Sequence, residues 1–159
     1  MIHAWTVFCR GVSVDKDSNT VSLFDVVEQF AVVPSMTSEA AKSLLDHGNF
    51  FGPVFALVSL WARDSFDSPE SGRARISVIS PNGQEQQVAE YEVNLRDFPR
   101  SRHIFRMVGF PCETAGQHWI DVGQQSQDQW VRVAHIPVHI EFPAPSPPAT
   151  AFPIPHDAN

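Results

Sequence analysis

Positive charge is what this chain has least of: 11 lysines and arginines stand against 18 aspartates and glutamates, for a net charge of −7. A general nucleic-acid binder needs a basic surface to displace counterions from phosphates, so that class is not expected. Long apolar runs are also missing. The stretch 54–58, Val-Phe-Ala-Leu-Val, falls far short of the ~20 residues that cross a bilayer, so no membrane span is expected. The start, Met1-Ile2-His3-Ala4-Trp5-Thr6, lacks the basic leader and apolar stretch of a secretory signal and alternates like a first strand. The expected location is therefore the cytoplasm. Cysteine is limited to Cys9 and Cys112. In a reducing compartment two isolated cysteines are more often small buried hydrophobes than a disulfide. The eight glycines are scattered and none opens a helix after a strand, so there is neither a phosphate loop nor a dinucleotide fingerprint. No Gly-x-Ser-x-Gly elbow is present either.

What remains is a β pattern. At 159 residues, with 43% apolar and 11% aromatic content, the chain can build one domain around a real core. The clearest segment is 106–141. Gln117-His118-Trp119-Ile120-Asp121-Val122 alternates, residues 124–129 turn, and Trp130-Val131-Arg132-Val133-Ala134-His135-Ile136 alternates again. That period of two marks half-buried strands of an antiparallel sheet. Segments 2–10 and 20–27 flank Asp15-Lys16-Asp17-Ser18-Asn19, a polar run suited to a hairpin turn. Segment 53–63 is rich in β-branched and aromatic residues and reads as a central strand, followed by an acidic loop over 64–72. Strands over 73–80 and 86–95 enclose Pro81-Asn82-Gly83, where glycine supplies positive φ. A further strand spans 102–110.

Residues 37–46 carry a Thr or Ser cap, good helix formers and Gly48 beyond the end, which predicts one short helix. Six prolines between 143 and 155 predict an extended or disordered tail over 143–159. Eight or nine strands with short turns give the expected fold class: all-β, an antiparallel two-sheet sandwich, immunoglobulin-like or jelly-roll-like, with one short helix, over residues 1–142.

The groups that could carry chemistry are dispersed. His135 and His139 invite a metal, but on a strand four residues span about 13 Å, too far for one ion. No Cys-x-x-Cys or His-x-His spacing supplies further ligands. Asp15-Lys16-Asp17-Ser18-Asn19 begins like a calcium loop, but Thr20 stands at the sixth position and Val26 at the twelfth, so the EF-hand reading fails. A looser calcium site would need this loop to meet Asp64, Asp67 and Glu70 at one end of a sandwich. Cys112 and His118 are spaced so that a dyad across a turn is conceivable. Arg96, Arg100, Arg102 and Arg106 gather four of the eleven basic residues in eleven positions. They could grip a phosphate, a carboxylate or an acidic partner, or pair across the sheet with Glu90 and Glu92, the simpler expectation. Trp61 is expected in the core. Trp119 shares a face with Gln117 and Asp121, opposite His118, Ile120 and Val122, which makes that trio a candidate contact surface.

Taken together, Cys9-Arg10-Gly11-Val12-Ser13-Val14-Asp15, Asn19-Thr20-Val21-Ser22-Leu23-Phe24-Asp25-Val26-Val27-Glu28, Val58-Ser59-Leu60-Trp61 and the Pro111, Gly116, His118, Ile120, Val122 pattern resemble a family of small uncharacterised bacterial proteins known only as a domain of unknown function. The resemblance covers most of the chain, with His118 standing where the pattern has an aromatic. It implies a bacterial, cytosolic, β-rich domain and transfers neither activity nor catalytic residues.

The sequence therefore points to a non-enzymatic binding or assembly module. Its expected partner is a protein or a second copy, reached through edge strands, with no nucleic acid, cofactor or metal. The candidate binding residues are Gln117, Trp119, Asp121, Arg100 and Arg102. The alternatives are a small metal-dependent hydrolase using His and Asp at a loop end, and a calcium-dependent surface binder.

Overall fold

The computed structural model describes residues 1–31 and 50–142, which form nine strands and no helix. The expected helix over 37–46 and the proline-rich tail over 143–159 lie outside the described residues. The strands are β1 (Ile2–Val14), β2 (Val21–Val26), β3 (Gln29–Ala31), β4 (Phe50–Ala62), β5 (Glu70–Ile79), β6 (Glu85–Leu95), β7 (Arg100–Pro111), β8 (Gly116–Ser126) and β9 (Gln129–Glu141). They make two sheets, ordered β2-β1-β4-β7 and β3-β9-β8-β5-β6.

One core joins the sheets. Phe8, Phe55, Leu57, Trp61, Met107 and Phe110 of the first meet Ile76, Val78, Val93, Leu95, Ile120, Val122, Val138 and Ile140 of the second. Each such side chain, fully buried, contributes about 1.5–3 kcal/mol, so the alternation along β5 and β8 is enough to dictate which face turns inward. Trp61 is fully buried, as expected. β4 departs from alternation: Phe55, Ala56, Leu57, Val58 and Ser59 are buried in succession. Its even-numbered residues Ala56 and Val58 belong to a second apolar cluster with Cys9, flanked by Trp5, Val7, Val12, Leu23 and Ile104. β1 and β7 flank the strand, and their side chains on that same face, Trp5, Val7, Cys9 and Ile104, shelter its even-numbered residues.

Turn chemistry follows the sequence with refinements. In the β1–β2 hairpin, Asp15 Oδ1 accepts from the Asp17 and Ser18 backbone N–H and from the Ser18 hydroxyl, an Asx turn, and Asn19 sits at φ +53°. The β5–β6 turn places Gly83 at φ +83°. The β8–β9 turn is tighter than the expected 124–129: the ladder runs to Ser126 and Gln129, leaving Gln127 and Asp128, both at positive φ, as a two-residue loop matched to strand twist.

The expectation of a purely antiparallel sandwich needs one correction, because β3 pairs parallel with β9. The chain changes sheets at Val27-Glu28. The Val27 N–H donates to Phe8 O in one sheet, and Glu28 O accepts from the His139 N–H in the other. β3 then runs along β9, held by Phe30, whose ring packs 5.0 Å from Phe55 and 5.6 Å from Phe110. Residues 112–115 likewise step from β7 in one sheet to β8 in the other.

Both cysteines are buried and free. Burial pushes the Cys112 thiol up to about 11 and also raises that of Cys9. At pH 7–8 both are therefore neutral and shielded. Iodoacetamide should label neither in the native protein and both in denaturant, as read by intact mass. His3, His103 and His118 have pKa values lowered from the ordinary 6.5, in each case mainly by burial. Below pH 6.5 the unfolded chain then binds protons that the native chain does not, so stability falls as pH falls through that window and is unaffected above it. His118, fully buried and edge-on to Phe110, fills its site as an aromatic would. His118→Leu should shrink the loss of Tm between pH 7 and pH 5 relative to wild type.

Candidate functional site

The residues flagged in the sequence separate onto two faces of the molecule. On the outer face of the β8–β9 pair, Trp119 does not project freely. Its ring stacks on His135 at 3.9 Å and 8°. Asp121 holds that imidazole through Nδ1 and takes Arg132 Nη1 at 3.5 Å. The Gln117 amide donates to the His118 carbonyl at 2.9 Å. Register explains the stack, since Asp121 pairs with His135 and directly opposed residues share a face. Ser77 pairs with Asp121 from the other side. The row thus runs Ser77, Asp121, His135 with the carboxylate in the middle. The imidazole is two strand spacings, about 10 Å, from the hydroxyl, and this is not the order of a nucleophilic triad.

His135 and His139 are not brought together: one is held by Asp121, the other lies 3.9 Å from Glu141. His118 Nδ1 lies 3.2 Å from Gly116 O, and no hydrogen bond joins it to Cys112. The two acidic loops do flank one groove, because Ser18, Asn19 and Phe66 all line it. Two of their carboxylates are already engaged, however. Asp15 caps its own turn, and Glu70 accepts the Met1 ammonium at 2.5 Å and the Asp64 N–H at 2.7 Å. No group of three or more His, Cys, Asp or Glu able to hold a metal ion occurs among the described residues.

That groove, about 880 Å³, is the one that gathers the flagged residues Arg100 and Arg102. It lies at the start of β7, on the face of the first sheet turned away from the core. Arg102 pairs with Leu60, so Arg100, Arg102 and Ile104 of β7 and Leu60 of β4 share one wall. Phe66 and Phe98 close the mouth and are 69% and 73% exposed, a large apolar area for loop residues. Arg102 donates through Nη2 to Asn19 O at 3.0 Å and through Nη1 to Asn19 Oδ1 at 3.3 Å. Asn19 can turn both oxygens that way because it tolerates the left-handed backbone of its turn. Arg102 Nε is buried without a hydrogen-bond partner.

The expected cross-sheet pairing of these arginines with Glu90 and Glu92 does not occur. Glu90 and Glu92 lie on β6, in the other sheet, and Glu90 binds Arg73. Among the described residues no carboxylate lies within ion-pair distance of Arg100, Arg102 or Arg106. The two phenylalanines were not singled out in the sequence. The signal was there: in Asp64-Ser65-Phe66-Asp67 and Asp97-Phe98-Pro99 a lone aromatic sits among turn residues, with no alternation to carry it into a core.

One residue sets the groove's shape. Arg63 donates through Nε to Leu95 O at 2.7 Å, through Nη1 to Phe66 O at 2.8 Å and through Nη2 to Arg96 O at 2.7 Å. A rigid guanidinium fork ties together the loop bearing Phe66 and the loop bearing Phe98.

No protein-family model matches this chain, and no curated protein matches it.

Three charge-assisted bonds converge on Arg63, but solvent can rehydrate the carbonyls once it is gone. Arg63→Met should therefore cost about 2 kcal/mol in urea unfolding. It should also speed proteolysis within residues 64–69 of the native protein. Arg63→Lys should recover little of either, because one ammonium cannot span three carbonyls.

Proposed function

We propose that this protein is a non-enzymatic binding module that holds an acidic, apolar-anchored segment of a protein partner in the groove formed by Phe66, Phe98, Arg100 and Arg102. One observation carries the reading: in a chain of net charge −7, two arginines without carboxylate partners among the described residues stand beside two exposed phenylalanines in one concavity. Exposed aromatics and arginines are the residue types that dominate the centres of protein interfaces. An apolar anchor would cover the phenylalanines, while a carboxylate would take the guanidinium groups of Arg100 and Arg102. The acidic remainder of the surface would repel acidic partners elsewhere and steer them here.

The test is fluorescence anisotropy with labelled octapeptides that combine Glu with Leu or Phe, against basic counterparts of the same apolar content. Acidic peptides should bind and basic ones should not. Arg100→Glu/Arg102→Glu should weaken acidic-peptide binding at least about tenfold, the scale of one 1.4 kcal/mol contact, and raised salt should act in the same direction. Equal binding of both peptide classes, or indifference to charge reversal, would overturn the reading.

A further inference from the structure

Among the described residues each sheet ends in two edge strands, and the four edges differ in kind. β3 has only three residues. β2 has six and is interrupted by Asp25 at φ +52°. By contrast β7 keeps an unbroken register against β4 from Arg100↔Ala62 to Val108↔Val54, and β6 is regular against β5 from Ala89 to Leu95. Long edges of regular register offer backbone groups to another strand.

These two edges lie side by side, one per sheet. β6 and β7 run in opposite directions, since the short connection 96–99 brings the Tyr91 ring to 4.8 Å from that of His103. Their outward faces carry opposite charge. Along β7 the residues turned away from the core are Arg100, Arg102, Ile104, Arg106 and Val108, and along β6 they are Glu90, Glu92 and Asn94, alternating with the buried Val93 and Leu95.

We infer that two copies of this chain associate through these edges, β7 of each pairing with β6 of the other about a two-fold axis parallel to the strands. Rotation about that axis exchanges the two sheets, so the basic edge of one copy meets the acidic edge of its partner twice over, and both sheets become continuous across the dimer. The axis carries no translation, so each residue keeps its height. Tyr91 and His103 are level within one chain and stay level between copies, to within one residue pair. Glu90 and Glu92 of one copy then fall among Arg102, Ile104 and Arg106 of the other, where opposed charges on neighbouring strands attract. The strands pair antiparallel, as β6 and β7 already do in direction. A β7–β7 dimer centred on Ile104 would instead set Arg102 against Arg106 at both ends and is disfavoured by like charge. The contact is isologous and closes at two copies. It shares Arg102 with the groove but not Phe66, Phe98 or Arg100, which lie at one end of β7, and Arg106 belongs to the edge contact alone.

The experiment uses the full chain and two variants, in sedimentation velocity at high micromolar concentration. Wild type should sediment as a dimer that dissociates at high salt. Arg102→Glu/Arg106→Glu makes both edges acidic, and Glu90→Lys/Glu92→Lys makes both basic, so each variant alone should be monomeric. Mixed in equal amounts they should form a heterodimer, because both contacts are then again of opposite sign. That recovery also excludes misfolding as the reason for monomers. A monomeric wild type, variants that remain dimeric, species larger than a dimer, or a mixture that stays monomeric would overturn the inference. Acidic-peptide binding by Arg106→Glu, whose groove is intact, reports separately on the groove.

Discussion

Everything in this structure hangs on a strand that is apolar on both sides. The run from Phe55 to Ser59 is buried residue after residue, the odd positions facing the shared core and the even ones a second cluster on the opposite surface of the same sheet. A strand of that kind tolerates neither an edge position nor a one-residue slip, since either would put a row of large side chains in water. β1 and β7 are therefore held on either side of it in a fixed register. That register decides which residues of β7 face outward, and so places Arg100, Arg102, Ile104 and Arg106 in one row.

Charge is distributed against the average of the chain. The acidic excess is spread over turns and over β6, where Glu85 and Glu90 pair with Arg75 and Arg73 of the neighbouring strand. The arginines of β7 are separated from those carboxylates because β6 and β7 belong to different sheets. Both sets of side chains turn away from the core, so they stand on opposite outer faces of the two sheets and cannot meet across it. Separation leaves one edge basic and the other acidic, and an apolar, cationic groove at the end of the basic one.

Much of this was readable from residues in order. The alternation over 117–122 and 130–136 specified β8 and β9, and over 117–122 it also separated His118, Ile120 and Val122 from the outward face. The Asp15–Asn19 and Pro81–Gly83 turns were set by local chemistry, an Asx turn and a glycine at positive φ. Trp61 in the core and the free, buried cysteines followed from the same rules. What escaped was whatever crosses between sheets. The parallel β3–β9 pair rests on two backbone hydrogen bonds at Val27-Glu28 and on Phe30 reaching Phe55 and Phe110. Nothing local in Gln29-Phe30-Ala31 announces a parallel neighbour more than a hundred residues away.

The candidate surfaces divide along the same line. That Gln117, Trp119 and Asp121 share an outward face is a property of a period-two strand and needed no structure. That Trp119 is capped by His135, and His135 held by Asp121, depends on the register of the neighbouring strand. The cluster of arginines is visible as spacing, but its lack of carboxylate partners among the described residues is a fact about sheet order. Sequence by itself determined the strands other than β3 and most turns, because those follow from side-chain periodicity and local backbone preference. Only the tertiary structure decided which described strands lie at the sheet edges, which charges meet and which aromatics gather into one groove, because those depend on contacts between residues that the chain itself keeps far apart.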